Sequence, residues 1–256
     1  MFSIENLSVG YDGKLVVKNA GFHIKHGEFA ALLGLNGSGK TTLLKASCGL
    51  IAPAKGQIVA NGVDCTRLSE RRRARLISYI PQRHSALKGI SVLNVVLMGL
   101  NPQLGLLARP TDAHRGLALG VLRQMGLLDM AEKDFASLSE GQKQLVILSR
   151  VLVQDTPVLL MDEPDSALDF LNRHKMLCKI RSLIHNEGKA GLMASHDPNM
   201  ALAYCDKLIL MHNGEIVADM PLAGANRDTV QHGLSKIYAD IQLVNHGNRF
   251  VMFRMA

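Results

Sequence analysis

Tryptophan is absent from the 256-residue chain, and Phe and Tyr together make up only 4% of it. This argues against a platform for single-stranded nucleic acid, which needs rings on which bases can stack. Cysteine is scarce as well. Cys48, Cys65, Cys178 and Cys205 lie far apart, with no CxxC pair and no interleaved histidine spacing. That pattern disfavours a zinc site and a disulfide framework, and it suits a reducing cytosol. Long hydrophobic runs are missing too. The longest apolar stretch, around Ile90 to Leu100, is interrupted by Ser91, Asn94 and Gly99, well short of the roughly 20 residues needed to cross a bilayer. The opening segment, MFSIENLSVGYDGK, has an early acidic residue and no apolar core, so a signal peptide is not expected there. Any connection to a membrane is expected to run through a partner.

Acidic residues are the minority charge, 22 against 29 Lys and Arg, for a formal net charge of +7. A basic balance suits nucleic acid, an anionic membrane surface or a polyanionic ligand such as a nucleotide. The densest basic run, Arg71-Arg72-Arg73 with Arg75, is short and reads as a solvated helix face. With 47% apolar and 20% charged residues, the composition is globular, and the length allows one large domain with a full core.

Short apolar runs bounded by Gly, Asn and Pro fill the first third. Residues 2–9, 15–24 and 57–60 read as strands, with turns at Asp12-Gly13, His26-Gly27 and Asn61-Gly62. Residues 28–33 form a strand that leads into a glycine-rich loop, and a helix continues through 43–48. Residues 76–80 are a short strand ended by Pro81. After Gln82 the pattern turns helical, over 91–99, 111–126 and 140–153. Strands return at 158–161, 190–194, 207–211 and 215–218, alternating with helices at 172–186 and 198–204. Such alternation implies a mostly parallel sheet covered on both faces. The last thirty or so residues suggest one helix and two strands, without a motif.

The loop Gly34-Leu35-Asn36-Gly37-Ser38-Gly39-Lys40-Thr41 fits GxxxxGK[ST]. Its glycines let the backbone wrap phosphate oxygens with N–H groups pointing inward, and the following helix adds its positive end. Lys40 is placed to reach the β- and γ-phosphates and Thr41 to ligate Mg²⁺, so ATP binding is expected here, with Thr42 in the same turn. The apolar strand 158–161 ends in Asp162 and Glu163. Beside a phosphate loop, Asp162 is placed to hold Mg²⁺ through water and Glu163 to polarise the attacking water. Ser139 and Gln142 open a helix as a capping box. Local physics explains those two as caps and does not distinguish a cap from a nucleotide contact.

The order of GLNGSGKT, Gln82, LSEGQ, LLMDEP, SALD and His196 resembles the ATP-binding cassette (ABC) ATPase family, over nearly all of residues 1 to about 223. The resemblance implies a P-loop NTPase core of RecA-like α/β type with a mostly parallel sheet. It adds an antiparallel β subdomain and an inserted α-helical subdomain. It further implies one ABC ATPase domain over 1–256: core 1–87 and 156–225, helical insert with signature segment 88–155, and carboxy-terminal extension 226–256. Tyr11 matches the family's adenine-facing aromatic, although it also reads as a turn residue. Gln82 matches the hinge glutamine beside the γ-phosphate and Mg²⁺, although it also reads as a loop residue. His196 matches the histidine on the γ-phosphate, although Asp197-Pro198 also looks like a plain helix start. Ser166-Ala167-Leu168-Asp169 matches the loop that crosses to a partner subunit. In this family Ser139, Gly141 and Gln142 of one molecule close over the ATP held by another, which implies a homodimer with two shared sites. Glu140 stands where the family usually has glycine and is expected to point away from the nucleotide.

Tyr79-Ile80-Pro81-Gln82 and residues 91–99 are similar to the ATPases of bacterial importers for iron–siderophore, haem and cobalamin complexes. Leu100-Asn101-Pro102 departs from the arginine that usually follows. The similarity implies transmembrane permease subunits and, indirectly, a substrate-binding protein as partners. It also implies a peripheral position on the cytoplasmic face of the inner or plasma membrane, with no nucleic acid partner. Importers of molybdate, an exporter motor and a soluble cassette acting on nucleic acid are the alternatives. The apolar residues Ile90, Val92, Leu93, Val96 and Leu97 either pack inside the insert or leave a groove for a permease helix.

Overall fold

The computed structural model describes residues 1–82, 88–105, 108–166, 168–247 and 249–255. Its first strands, β1 (Phe2–Tyr11) and β2 (Lys14–Ile24), pair antiparallel across a two-residue turn. Asp12 and Gly13 both have positive φ in that turn, the geometry that matches strand twist in a tight hairpin. Strand β3 (Phe29–Leu33) follows, then helix α1 (Lys40–Ser47). Strands β4 (Lys55–Ala60) and β5 (Val63–Asp64) complete a four-stranded sheet in the order β2-β1-β4-β5.

Helix α2 (Glu70–Arg73), strand β6 (Ile77–Ile80) and helices α3 (Val92–Leu97), α4 (Asp112–Met125) and α5 (Glu140–Gln154) come next. Then strand and helix alternate: β7 (Val158–Asp162), α6 (Phe170–Asn186), β8 (Ala190–Ser195), α7 (Pro198–Tyr204), β9 (Lys207–His212) and β10 (Glu215–Pro221). Helix α8 (Arg227–Ser235) and the hairpin β11 (Ile241–His246) and β12 (Arg249–Arg254) end the chain. The main sheet runs β10-β9-β3-β8-β7-β6, and all its pairings are parallel except β10 with β9. The mostly parallel sheet, the antiparallel sheet and the covering helices agree with the expected α/β architecture.

Side chains alternate across a strand, and the main sheet uses both faces. Phe29, Ala31 and Leu33 of β3 join the apolar layer beneath the helices, with Leu159, Met161, Met193, Leu208 and Leu210. Ala30 and Leu32 join the opposite layer, with Leu160, Leu192, Ile209 and Met211, against β1, β2 and α1. Burial on both faces explains why these strands read as continuous apolar runs.

One expectation is corrected and one open choice is decided. Arg73 is not part of a solvated face. It is buried, and its guanidinium donates to the carbonyls of Cys65 (3.0 Å), Thr66 (3.3 Å) and Leu68 (3.0 Å). Gly49 makes room for it, since a Cβ there would lie 1.3 Å from Nη1. Arg71 and Arg75 remain exposed and donate to the Pro102 carbonyl. The open choice concerns α3, where packing inside the insert is the reading observed. Val92, Leu93, Val96 and Leu97 are all buried and Ile90 is partly so, because α4 and α5 cover the helix. They leave no apolar groove of their own. Helix α6 also begins before residue 172, capped by Asp169; its first two side chains, Phe170 and Leu171, are exposed, which breaks the apolar periodicity there.

Replacing Arg73 with alanine would leave three carbonyls without their charged donor. Arg73→Ala should lower the free energy of unfolding by about 3 kcal/mol, read by urea denaturation. Arg71→Ala should stay within about 0.5 kcal/mol of the parent.

Candidate functional site

The parallel strands β3, β8, β7 and β6 finish at one edge of the sheet. Leu33 lies opposite Ser195, Ala194 opposite Asp162 and Met161 opposite Ile80. The loops leaving these ends carry the glycine-rich segment, His196, Glu163 and Gln82. Ligand crevices in such sheets form outside the carboxyl ends of the strands. A cleft of about 580 Å³ opens there, lined by Asn36 to Thr42, Val16, Gln82, Glu163 and His196.

The glycine-rich segment folds over its own lysine. Lys40 Nζ donates to the carbonyl of Gly34 at 2.8 Å and to that of Leu35 at 3.3 Å. Gly34 admits no side chain: a Cβ would stand 2.5 Å from both the Met211 carbonyl and Ser38 Oγ. The turn between β9 and β10 braces the loop, with the Gly214 N–H donating to the Ser38 carbonyl at 3.0 Å. Ser38 Oγ is buried without a partner among the described residues. The first N–H groups of α1 have no intrahelical acceptor. An unpaired hydroxyl and a row of amides at a helix start fit phosphate oxygens. Burial draws the Lys40 ammonium below its ordinary pKa, and the Glu163 and Asp162 carboxylates act the other way.

Asp162 is 2% exposed at the end of β7. Its oxygens accept from Thr41 Oγ1 at 3.2 Å and from the Tyr79 hydroxyl at 3.3 Å. Burial raises its carboxyl pKa, and those two hydrogen bonds oppose the rise. Thr41 Oγ1 and the Asp162 carboxylate place two hard oxygens together, the donor type that Mg²⁺ selects. Glu163 leaves the strand with φ of 49°, a left-handed backbone uncommon outside glycine. That turn aims its side chain into the cleft. Its Oε2 accepts from Gln82 Nε2 at 2.8 Å and lies 3.3 Å from His196 Nδ1.

The structure thus brings Gln82, Glu163 and His196 together beside Lys40, Thr41 and Asp162. It does not bring Ser139, Gly141 and Gln142 to them. Those residues line a second cleft with Leu168, Asp169 and Asn172, and the two clefts share no lining residue. Ser139 caps α5: Oγ accepts from the Gln142 N–H at 3.3 Å, and Gln142 Oε1 accepts from the Ser139 N–H at 3.0 Å. Glu140 is exposed and pairs with Lys143 Nζ at 2.7 Å. Tyr11 stands half-exposed at the end of β1 and does not line the phosphate-loop cleft. Ala167 lies outside the described residues.

Sequence reasoning missed Val16, which carries no motif, and Tyr79, whose bond to Asp162 joins two strands. It also missed Arg173. The Arg173 guanidinium spans Asp165 (3.4 Å) and Asp197 (3.5 Å), one near Glu163 in sequence and one adjacent to His196. Burial raises the Asp165 pKa, and Arg173 opposes that rise.

The chain matches the ABC transporter family over residues 17–166. A Helicobacter pylori protein named as an iron chelatin transport ATP-binding protein is 33% identical over 259 residues, spanning 100% of both chains. The hemin import ATP-binding protein HmuV of Shewanella denitrificans is 36% identical over 222 residues, 85% of this chain and 86% of that one. A dimeric ATP-binding cassette solved in a post-hydrolysis state with ADP and Pi is similar with a TM-score of 0.79 at 27% identity. It covers 88% of this chain and 100% of its own.

Because the folded state raises the Asp162 pKa, it holds that proton more tightly than the unfolded chain does. The stability so gained is full below the ordinary carboxylate range and is lost as pH rises through the raised folded value. Asp162→Asn carries no charge at any pH. Without nucleotide it should melt a few degrees above the parent at about pH 7, with the gap closing toward about pH 4. Thermal unfolding across that range checks the sign.

Proposed function

The chain belongs to the ABC transporter family of ATP-binding proteins, and from that premise we propose that it powers import of a metal chelate through membrane permease subunits. It is an ATPase, with ATP as substrate and ADP and phosphate as products. The observation that carries the site assignment is the convergence of Gln82, Glu163 and His196 on the phosphate-loop cleft. Amides of residues 37–42 and Lys40 cradle the phosphates, and Glu163 accepts a proton from the attacking water. Gln82 and His196 hold that carboxylate and face the γ-phosphate. Thr41, Asp162 and Gln82 would hold Mg²⁺, which supplies charge neutralisation at the phosphates when bound. Tyr11 faces the adenine.

The two clefts share no lining residue, and in this reading each chain contributes one half to each of two sites. In the proposed homodimer, Ser139, Gly141 and Gln142 of one copy close over the nucleotide of the other. The dimeric form of the similar cassette bound to ADP and Pi supports this arrangement. The same reading divides the chain into a core at 1–87 and 156–225, an insert at 88–155 and an extension at 226–256.

No helix among the described residues is long and apolar enough to cross a membrane. The proposed permease is a separate subunit with this chain peripheral on its cytoplasmic side, a reading supported by relatives named as import or transport ATP-binding proteins. For the docking surface we favour the cleft whose lining includes Leu50, Ile77 and Tyr79, with Glu70 and Gln154 as its polar members. Leu50, one of the lining side chains, is 65% exposed. Tyr79 belongs to this cleft and also hydrogen-bonds Asp162, which links a docking surface to the nucleotide site. The metal-chelate cargo is supported by relatives named for iron chelatin transport and hemin import.

Glu163→Gln should lower turnover at least about 100-fold while keeping ATP binding and accumulating a dimer, read by phosphate release and light scattering. Turnover at the parent rate would remove Glu163 from the base role. Lys40→Ala should abolish nucleotide binding; unchanged ATP affinity would sink the phosphate-loop assignment. Affinity capture from membranes should recover a polytopic protein, and Leu50→Asp should weaken that recovery. Recovery of ribosomal RNA instead would overturn the transport reading.

A further inference from the structure

His196 lies on a short connection between two fixed points. On one side is Ser195, the last residue of β8. On the other is the first turn of α7, where Asp197 Oδ1 accepts from the N–H groups of Asn199 (3.0 Å) and Met200 (3.2 Å). The Asp197 N–H donates to Ser195 Oγ at 3.0 Å. The place of the His196 ring, 3.3 Å from Glu163, therefore depends on where that first turn sits.

Arg173 holds that turn through Asp197 at 3.5 Å, and the carboxy-terminal hairpin holds it from another side. Asn199 Nδ2 donates to the Met252 carbonyl at 3.1 Å, and Asn199 Oδ1 accepts from the Met252 N–H at 2.8 Å. One side-chain amide thus pairs with β12 as a neighbouring strand would, on the edge that β11 leaves open. The hairpin has its own anchor, since the Leu243 N–H of β11 donates to Gln231 Oε1 of α8 at 3.1 Å. Phe250 and Met252 pack against the main apolar layer. Movement of the α7 first turn relative to β8 would have to break the Asn199 pair or carry the hairpin with it.

We propose that Asn199 is a positioning residue for His196, and that the segment after residue 226 acts on ATP hydrolysis through it. The proposal rests on the role given to His196 above, so its test includes a measurement that does not depend on activity. In the full-length chain, the ring-proton NMR signal of His196 is identified by its loss in His196→Ala. Asn199→Ala should move that signal and lower kcat about tenfold, with KM for ATP within about twofold of the parent. In a His196→Ala background the same change should lower the residual rate no further, because a residue acting only through another shows no separate effect.

An unmoved His196 signal in Asn199→Ala overturns the proposal, whatever happens to kcat. So does a full additional loss in the double variant, which would mark a general loss of stability. Should Asn199→Ala fail to fold, Asn199→Asp keeps the acceptor for the Met252 N–H and should shift the signal less, in the same direction; no shift there overturns the proposal as well. If His196→Ala hydrolyses ATP at the parent rate, the role of His196 is what fails, and the NMR result alone decides the positioning.

Discussion

Burying the Asp162 carboxylate at the end of an apolar strand is the constraint on which the rest of the site depends. A buried charge is tolerated only when it is hydrogen-bonded and paired. The donors come from different elements: Thr41 from α1 and Tyr79 from β6, with the Lys40 ammonium acting from the same loop. The charge at the tip of β7 therefore ties the glycine-rich segment to the sheet on one side and the strand before Gln82 to it on the other. The positive φ of Glu163 then directs the next carboxylate outward, so adjacent acids serve different ends. Asp162 stays in, raised in pKa by its burial, while Glu163 faces the cleft. A chain selected only for folding would place an apolar residue at Asp162, and destabilisation of this kind is characteristic of functional sites.

Legibility in the sequence followed the range of the interaction. The phosphate loop, the two acids and the hairpin turns were readable because a few adjacent residues fix both the geometry and the chemistry. The strand pattern was readable because the sheet is covered on both faces, which leaves runs such as Phe29–Leu33 wholly apolar. Residues that act across the fold gave no signal. Arg73 looked like part of a basic surface run, because nothing local shows that the carbonyls of Cys65, Thr66 and Leu68 turn toward it. Helix α3 looked over-supplied with apolar residues, because a helix covered by both α4 and α5 needs them on more than one face. Arg173 and Asn199 belong to the same class. Each joins elements distant in sequence, and each is ordinary in its own neighbourhood.

The capping segment at Ser139 shows how the two kinds of information combine. Local physics explains it as a helix cap, and only the family resemblance implies a nucleotide contact. The geometry accommodates both. Ser139 Oγ accepts the Gln142 N–H through a lone pair, and a hydroxyl that accepts keeps its proton to donate. The cap also leaves the N–H groups of Glu140 and Gly141 at the helix start, where no intrahelical acceptor exists for them. Glu140, the acidic residue in this turn, is drawn along the helix to Lys143. What remains is a preformed set of donors at a positive helix end, held in shape by the same bonds that explain it as a cap. Its cleft and the phosphate-loop cleft share no lining residue. In the proposed homodimer a second copy would present its bound ATP to those donors, giving both halves a use.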